Sequence, residues 1–357
     1  MSQSARHVYV ASASRGIHGE RDGIHVLARD VASGSLALAG ISVPSPAASF
    51  LALHPDGAHL YATSALDEGA VAAFRITAGA RLHPLGIVAT GGSRPCHLAV
   101  HPSGRFLLTA HYGSGHVTVH RIGRDGAVGE PCDLVLSSGH GPVRGRQEHA
   151  HAHFVLAEPS GRYVVVADLG TDSVTTYEID EVTGHLGEVA RAQAEPGSGP
   201  RHLVAHPEGY LLATGELASR LLVFDVDAAT GAARQRESVQ ATVAETSGEN
   251  APSELVLGPA GRYCYVANRG ADCVSVFELR GGHPVPVADV SSRGKTPRHL
   301  AVVGTHLYVA NQGSSTVVTF ELDSVTGLPR ATGNVVEVPR PYCILATGAT
   351  VGDGSQR

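Results

Sequence analysis

Arg201, Arg269 and Arg298 are side chains suited to gripping a carboxylate or phosphate through forked hydrogen bonds, because guanidinium groups held together repel unless they face anions. Glu216 can balance one of them or serve as a general base. His153 can gain or lose a proton near neutrality, as proton-transfer catalysis needs. The four residues His153, Arg201, Glu216 and Arg269 are scattered along the chain, so their chemistry depends on a fold that gathers them. His149, His151 and His153 carry a second pattern, since residues two apart on an extended strand share a face and, with His111 nearby, could form a metal-ligand row. Asp168 and Asp172 read as turn and capping groups. Ser12 and the other candidate channel serines lack the Gly-x-Ser-x-Gly elbow of an acyl-serine enzyme.

Composition narrows the classes. The 357 residues carry 27 Lys+Arg against 33 Asp+Glu, a net charge of −6 that offers no basic face to nucleic acid. With 43% hydrophobic and 17% charged residues the chain can bury a core. No run approaches the roughly 20 apolar residues that cross a bilayer, and the start lacks the apolar stretch of a secretion signal, so a cytoplasmic location is expected. Five scattered cysteines without a CxxC pair read as small buried hydrophobes.

The elements that must position the candidates repeat. A strand leading into a turn recurs as Ser49–Pro55, Cys96–Pro102, His153–Pro159, Arg201–Pro207, Ser253–Pro259 and Arg298–Gly304, with a weaker copy from Tyr342 to Thr347. Each is followed by a second strand, such as Leu60–Thr63 or Val164–Ala167, and usually by a third, at a period of about 50 residues. Seven such hairpin units predict an all-β chain folded as a seven-bladed β-propeller, a single domain over 1–357 with repeats over about 5–347. A β-sandwich or solenoid is the alternative. The chain opens on a second strand and closes on a first, so the last blade is expected to be closed by the N- and C-terminal strands. Gly123–Ala150 and Asp227–Asn250 read as long insertions.

In a propeller the starts of the first strands and the ends of the second strands meet at one mouth. The first positions are Ser49, Cys96, His153, Arg201, Ser253, Arg298 and Tyr342; the second include Tyr112, Leu169, Glu216, Arg269 and Gln312, preceded by His111, Asp168, Asn268 and Asn311. A ring that changes from blade to blade reads as a site, whereas a packing ring would repeat one residue.

These motifs, Arg146-Gln-Glu-His-Ala-His-Ala-His153, Asp168-Leu-Gly-Thr-Asp172, Gly199-Pro-Arg-His202, Glu216-Leu217, Asn268-Arg-Gly270, Thr296-Pro-Arg-His299 and Asn311-Gln312, resemble the propeller lactonase family over roughly residues 5 to 347. That family includes cycloisomerase-type 6-phosphogluconolactonase and carboxymuconate lactonizing enzyme. The resemblance implies catalytic roles for His153, Arg201, Glu216 and Arg269; from their places around the mouth, His111, Tyr112, His151, Asn268, Arg298 and Gln312 are expected to bind the substrate. It also implies no metal and no cofactor. The expected reaction is hydrolysis of a sugar-acid or related acidic lactone, with arginines on the oxyanion and Glu216 or His153 activating water. Lactone-forming cycloisomerisation of a muconate-type acid, or a non-catalytic propeller docking a protein, are the alternatives. The expected partner is a small anionic lactone or carboxylate, with no nucleic acid and no membrane, and the chain is expected as monomer or homodimer. Where relatives commonly carry Asn and Ser, this chain has His111, Gly215 and Phe154, changes expected to reshape the pocket.

Overall fold

A computed structural model describes residues 6–13 and 23–347. The ends of the expected 1–357 unit, 1–5 and 348–357, lie outside the described residues. Among the described residues, twenty-eight strands, β1 to β28 in chain order, form seven four-stranded antiparallel sheets arranged as the blades of a propeller. The innermost strands are β4 (Ala48–Leu53), β8 (Pro95–Val100), β12 (Ala152–Ala157), β16 (Pro200–His206), β20 (Ala251–Leu257), β24 (Pro297–Val303) and β28 (Pro341–Ala346). Short runs of β-branched and aromatic residues between glycine turns produce them, because the turns reverse the chain before any strand grows long.

One blade is made from both ends of the chain. β28 pairs with β1 (His7–Ser12) in the register Val8 to Ala346, Val10 to Ile344 and Ala11 to Cys343, and β2 (Gly23–Arg29) and β3 (Leu36–Pro44) complete that sheet. The two long insertions expected from the sequence are a correction. They contain regular outer strands, β11 (Val128–Leu136) and β19 (Ala233–Gln240), whose mixed polar residues are half-buried or exposed without a buried alternate face and so lack the alternation of a half-buried strand.

The core lies between blades. Phe154, Leu156, Val165 and Ala167 of one blade pack on Leu203, Leu211, Leu222 and Phe224 of the next, and equivalent clusters fill the other junctions. Each fully buried side chain of this size stabilises by about 1.5–3 kcal/mol, so no sheet is stable without its neighbours.

Histidines at the far ends of three inner strands clip adjacent blades. His54, His101 and His206 each accept a backbone N–H at Nδ1, from Asp56, Ser103 and Glu208, all at 3.2 Å. That leaves Nε2–H to donate to the turn carbonyls of Gly104, Gly161 and Gly261 in the next blade, at 2.9, 2.7 and 3.0 Å. The turns need glycine because φ is +70, +76 and +71° there.

Candidate active site

Every inner strand begins with a β-bulge: the register slips at Ala48/Leu51, Pro95/His97, Ala152/Phe154, Pro200/Leu203, Pro252/Leu255, Pro297/His299 and, in the closing blade, opposite Ala11/Ser12. A bulge suspends the alternation of side chains, so two consecutive residues turn toward the axis. The propeller therefore has two inner layers, an upper one at a cavity and a lower one closing the channel.

The upper layer surrounds a cavity of about 250 Å³ lined by Ser49, Ala65, Arg94, Cys96, Tyr112, Arg146, His153, Arg201, Glu216, Arg269 and Arg298. All four residues expected to be catalytic lie in its wall, together with Tyr112 and Arg298. Glu216, following β17 (Tyr210–Gly215), is the hub. Its Oε1 accepts from Arg146 Nη2 at 2.6 Å, and its Oε2 lies 2.8 Å from both Arg201 Nε and Arg269 Nη2. The Arg201 contact is an ion pair without an aligned N–H, whereas Arg201 Nη1 donates to the Ser253 carbonyl. Arg269 is fixed by its Nε donating to Ala251 O at 3.0 Å.

Burial alone would raise the Glu216 pKa, but Arg269, Arg201, His153 and Arg146 override it and hold the carboxyl well below its ordinary range. Burial, then Arg269 and Arg298, pull Arg201 down to about 9, which still leaves it a cation at neutral pH. His153 is 5% exposed, and its Nδ1 has no hydrogen-bond partner among the described residues. Burial first, then the Arg201 charge, keep its imidazole far below the usual histidine range, so it is neutral. Arg298 lies 4.4 Å over the Tyr342 ring. Cys96 donates to the His153 carbonyl, and burial pushes its thiol up to about 12.

The lower layer is Phe50, His97, Phe154, His202, Glu254, His299 and Cys343. The Phe154 ring lies tilted 3.7 Å from that of His97 and 4.7 Å from that of His202, and Phe50 lies 4.1 Å from His97. His299 accepts the Ile344 N–H at Nδ1, so its Nε2–H faces Glu254 Oε2 at 3.1 Å. These side chains plug the channel directly beneath the cavity. Phe154 therefore belongs to the plug rather than the pocket wall, a correction to the sequence reading.

Other expected residues stand apart from the wall. His111 is fully buried; its Nδ1 donates to His116 O at 3.2 Å and its ring lies where a β-carbon on Gly92 would come within 2.6 Å. Asn268 is a structural node, donating from Nδ2 to Ser275 Oγ and Ala241 O and accepting from Asn250 Nδ2 at Oδ1. Gln312, 7% exposed, joins Thr296 through its backbone N–H. None of these three lines the cavity. Gly215 pairs with Pro200 and Arg220 and is likewise outside the wall.

His151 lies behind Tyr112, stacked at 4.4 Å with its Nδ1 donating to the Tyr112 carbonyl, and so supports a wall residue. His149 turns its Nδ1 to Ala150 O and its ring lies 4.2 Å from that of His151, yet among the described residues the three histidines do not bring their ring nitrogens together as a metal-ligand group. Asp168 Oδ1 accepts N–H groups of His151, Gly170 and Thr171, and the Asp172 carboxylate accepts those of Gly197 and Gly199, as turn groups should.

Arg94 and Arg146 were missed in the sequence. Arg94 precedes an inner strand with φ +52°, and Arg146 lies in the connection before β12. Arg146 opens the motif run that ends at His153, which was the available signal for it.

The family described as "Lactonase, 7-bladed beta-propeller" matches residues 7–346. The 6-phosphogluconolactonase of Bacillus subtilis (strain 168) is 31% identical over 343 residues, 94% of this chain and 97% of that protein. The 6-phosphogluconolactonase of Pectobacterium carotovorum is 29% identical over 76% of each chain. The solved periplasmic gluconolactonase of Pseudomonas aeruginosa superposes with a TM-score of 0.89 at 26% identity, covering 96% of this chain and 99% of its own. Among the described residues no helix is long and apolar enough to cross a membrane.

Proposed function

This chain belongs to the seven-bladed β-propeller lactonase family, and from that membership we propose that it hydrolyses the lactone of a sugar acid in the cavity around Glu216. The observation that carries this reading is one carboxylate held by Arg146, Arg201 and Arg269 beside a neutral, buried His153.

Water attacks the lactone carbonyl carbon while His153 takes its proton at Nδ1. Arg201 and Arg269 face the oxygen that becomes negative, and fixed cations in a closed-off site stabilise such a charge by about 3–4 kcal/mol per donor. The ring C–O bond then breaks and His153 returns the proton to the leaving alkoxide, yielding the open hydroxy acid. Glu216 holds the guanidinium planes in place and, being anionic, stabilises the imidazolium as it forms. It is a poor base itself, because three arginines keep it ionised and satisfied. An anionic substrate offsets the arginine field and raises the proton affinity of His153 toward what base catalysis needs.

Base-consumption assays on a panel of aldonolactones, phosphorylated and not, test the reading. It expects opening faster than buffer controls for at least one. If none is opened and a muconate-type acid is instead closed to its lactone, the cavity serves the lactone-forming reaction.

A further inference from the structure

We propose that Arg146 reads the charged group of the substrate remote from the lactone, exchanging Glu216 for that anion; this specificity role rests on the lactonase reading above. Of the three arginines on Glu216, Arg201 and Arg269 are set in strands with side chains 2% and 17% exposed, whereas Arg146 is 41% exposed and reaches in from the connection before β12. Its backbone is pinned. The neighbouring Gln147, 1% exposed, donates to Leu169 O at 2.7 Å and Asp172 Oδ1 at 2.8 Å and accepts the Val143 N–H at 3.0 Å. The side chain can therefore change partner while the loop stays still.

The charge count gives that exchange a direction. Five arginines line the cavity against Glu216 as its acid, so a substrate carrying a phosphate or second carboxylate is drawn in more strongly than a neutral one. Arg146 loses nothing when an incoming anion replaces Glu216 as acceptor for its fork, because one charge-assisted pair is swapped for another. A neutral lactone offers no replacement. Arg146 then stays on Oε1 and draws the Glu216 charge away from His153. Capture of the anion frees Oε1, and the carboxylate field falls on His153 and the two strand-borne arginines. Recognition of the remote charge and readiness of the base are thereby coupled through one side chain.

The test compares glucono-1,5-lactone with its 6-phosphate in the wild type, Arg146→Ala and Arg94→Ala. Loss of one charge-assisted contact to the anion is expected to lower the preference for the phosphorylated lactone by about tenfold or more in Arg146→Ala, chiefly through its KM. A preference unchanged in Arg146→Ala, or lost only in Arg94→Ala, overturns the assignment. A wild type that opens neither lactone counts against the lactonase reading itself, so the two failures are told apart. Circular dichroism controls for folding, and Arg146, at the surface of its loop, is not part of the core.

Discussion

His202 Nδ1 lies 3.0 Å from both carboxylate oxygens of Glu254, one residue beyond the Arg201 and Ser253 pair in each strand. β16 and β20 are thus clasped twice, once at the cavity and once in the plug. His299 brings a third strand to the same carboxylate.

Glu254→Gln should destabilise the fold, because two inward N–H groups need acceptors and an amide supplies one oxygen. A buried donor left unsatisfied costs about 1–3 kcal/mol, to be read from urea unfolding midpoints. An unchanged midpoint would remove Glu254 from this role.

Acid should unfold the protein early. His97, His111, His153, His202 and His299 are all held below the ordinary value of 6.5, primarily by burial, His111 to about 4 and His299 to about 3. The unfolded chain takes up these protons first, so stability falls as pH drops below 6.5, by about 1.4 kcal/mol per pH unit for each histidine. Glu216, whose folded pKa is also depressed, adds to the loss in stronger acid, as pH falls below its ordinary 4.5. A melting temperature constant from about pH 7 to about pH 5 would contradict this.

Activity, by contrast, should be flat through neutral pH, since His153 is already unprotonated. His153→Gln should lower kcat by about a hundredfold or more, the usual worth of a positioned general base. Full turnover in that variant would move the base elsewhere.

Removing a blade clip should cost stability and leave turnover intact. His206→Ala deletes the bond to Gly261 at the end of the propeller opposite the cavity, an expected loss of about 1 kcal/mol by denaturant titration. A large fall in kcat would show that the two ends communicate.

The blade repeat was legible because hairpins, turn prolines and strand lengths repeat in the residues themselves. The ring at the cavity was legible for the same reason: counting back from Pro159 or Pro207 lands on His153 or Arg201. The plug was hidden, since strand alternation turns Phe154, His202 and Glu254 away from the axis and only the bulges turn them in. Asn268 and His111, read as pocket from their place beside pocket residues, are not among the residues lining the cavity. Arg146 escaped by lying in what read as an insertion.

The pairing of β28 with β1 also sets a timetable for synthesis. β1 has no inner neighbour until residues 341–346 emerge, so the ring stays open and the β1 edge unpaired until the strands of the six other blades have been made. Loss of residues 341–346 would leave the other six blades with an unpaired β1 edge, an aggregation-prone state, whereas new termini placed between two other blades would let that sheet assemble as one continuous piece.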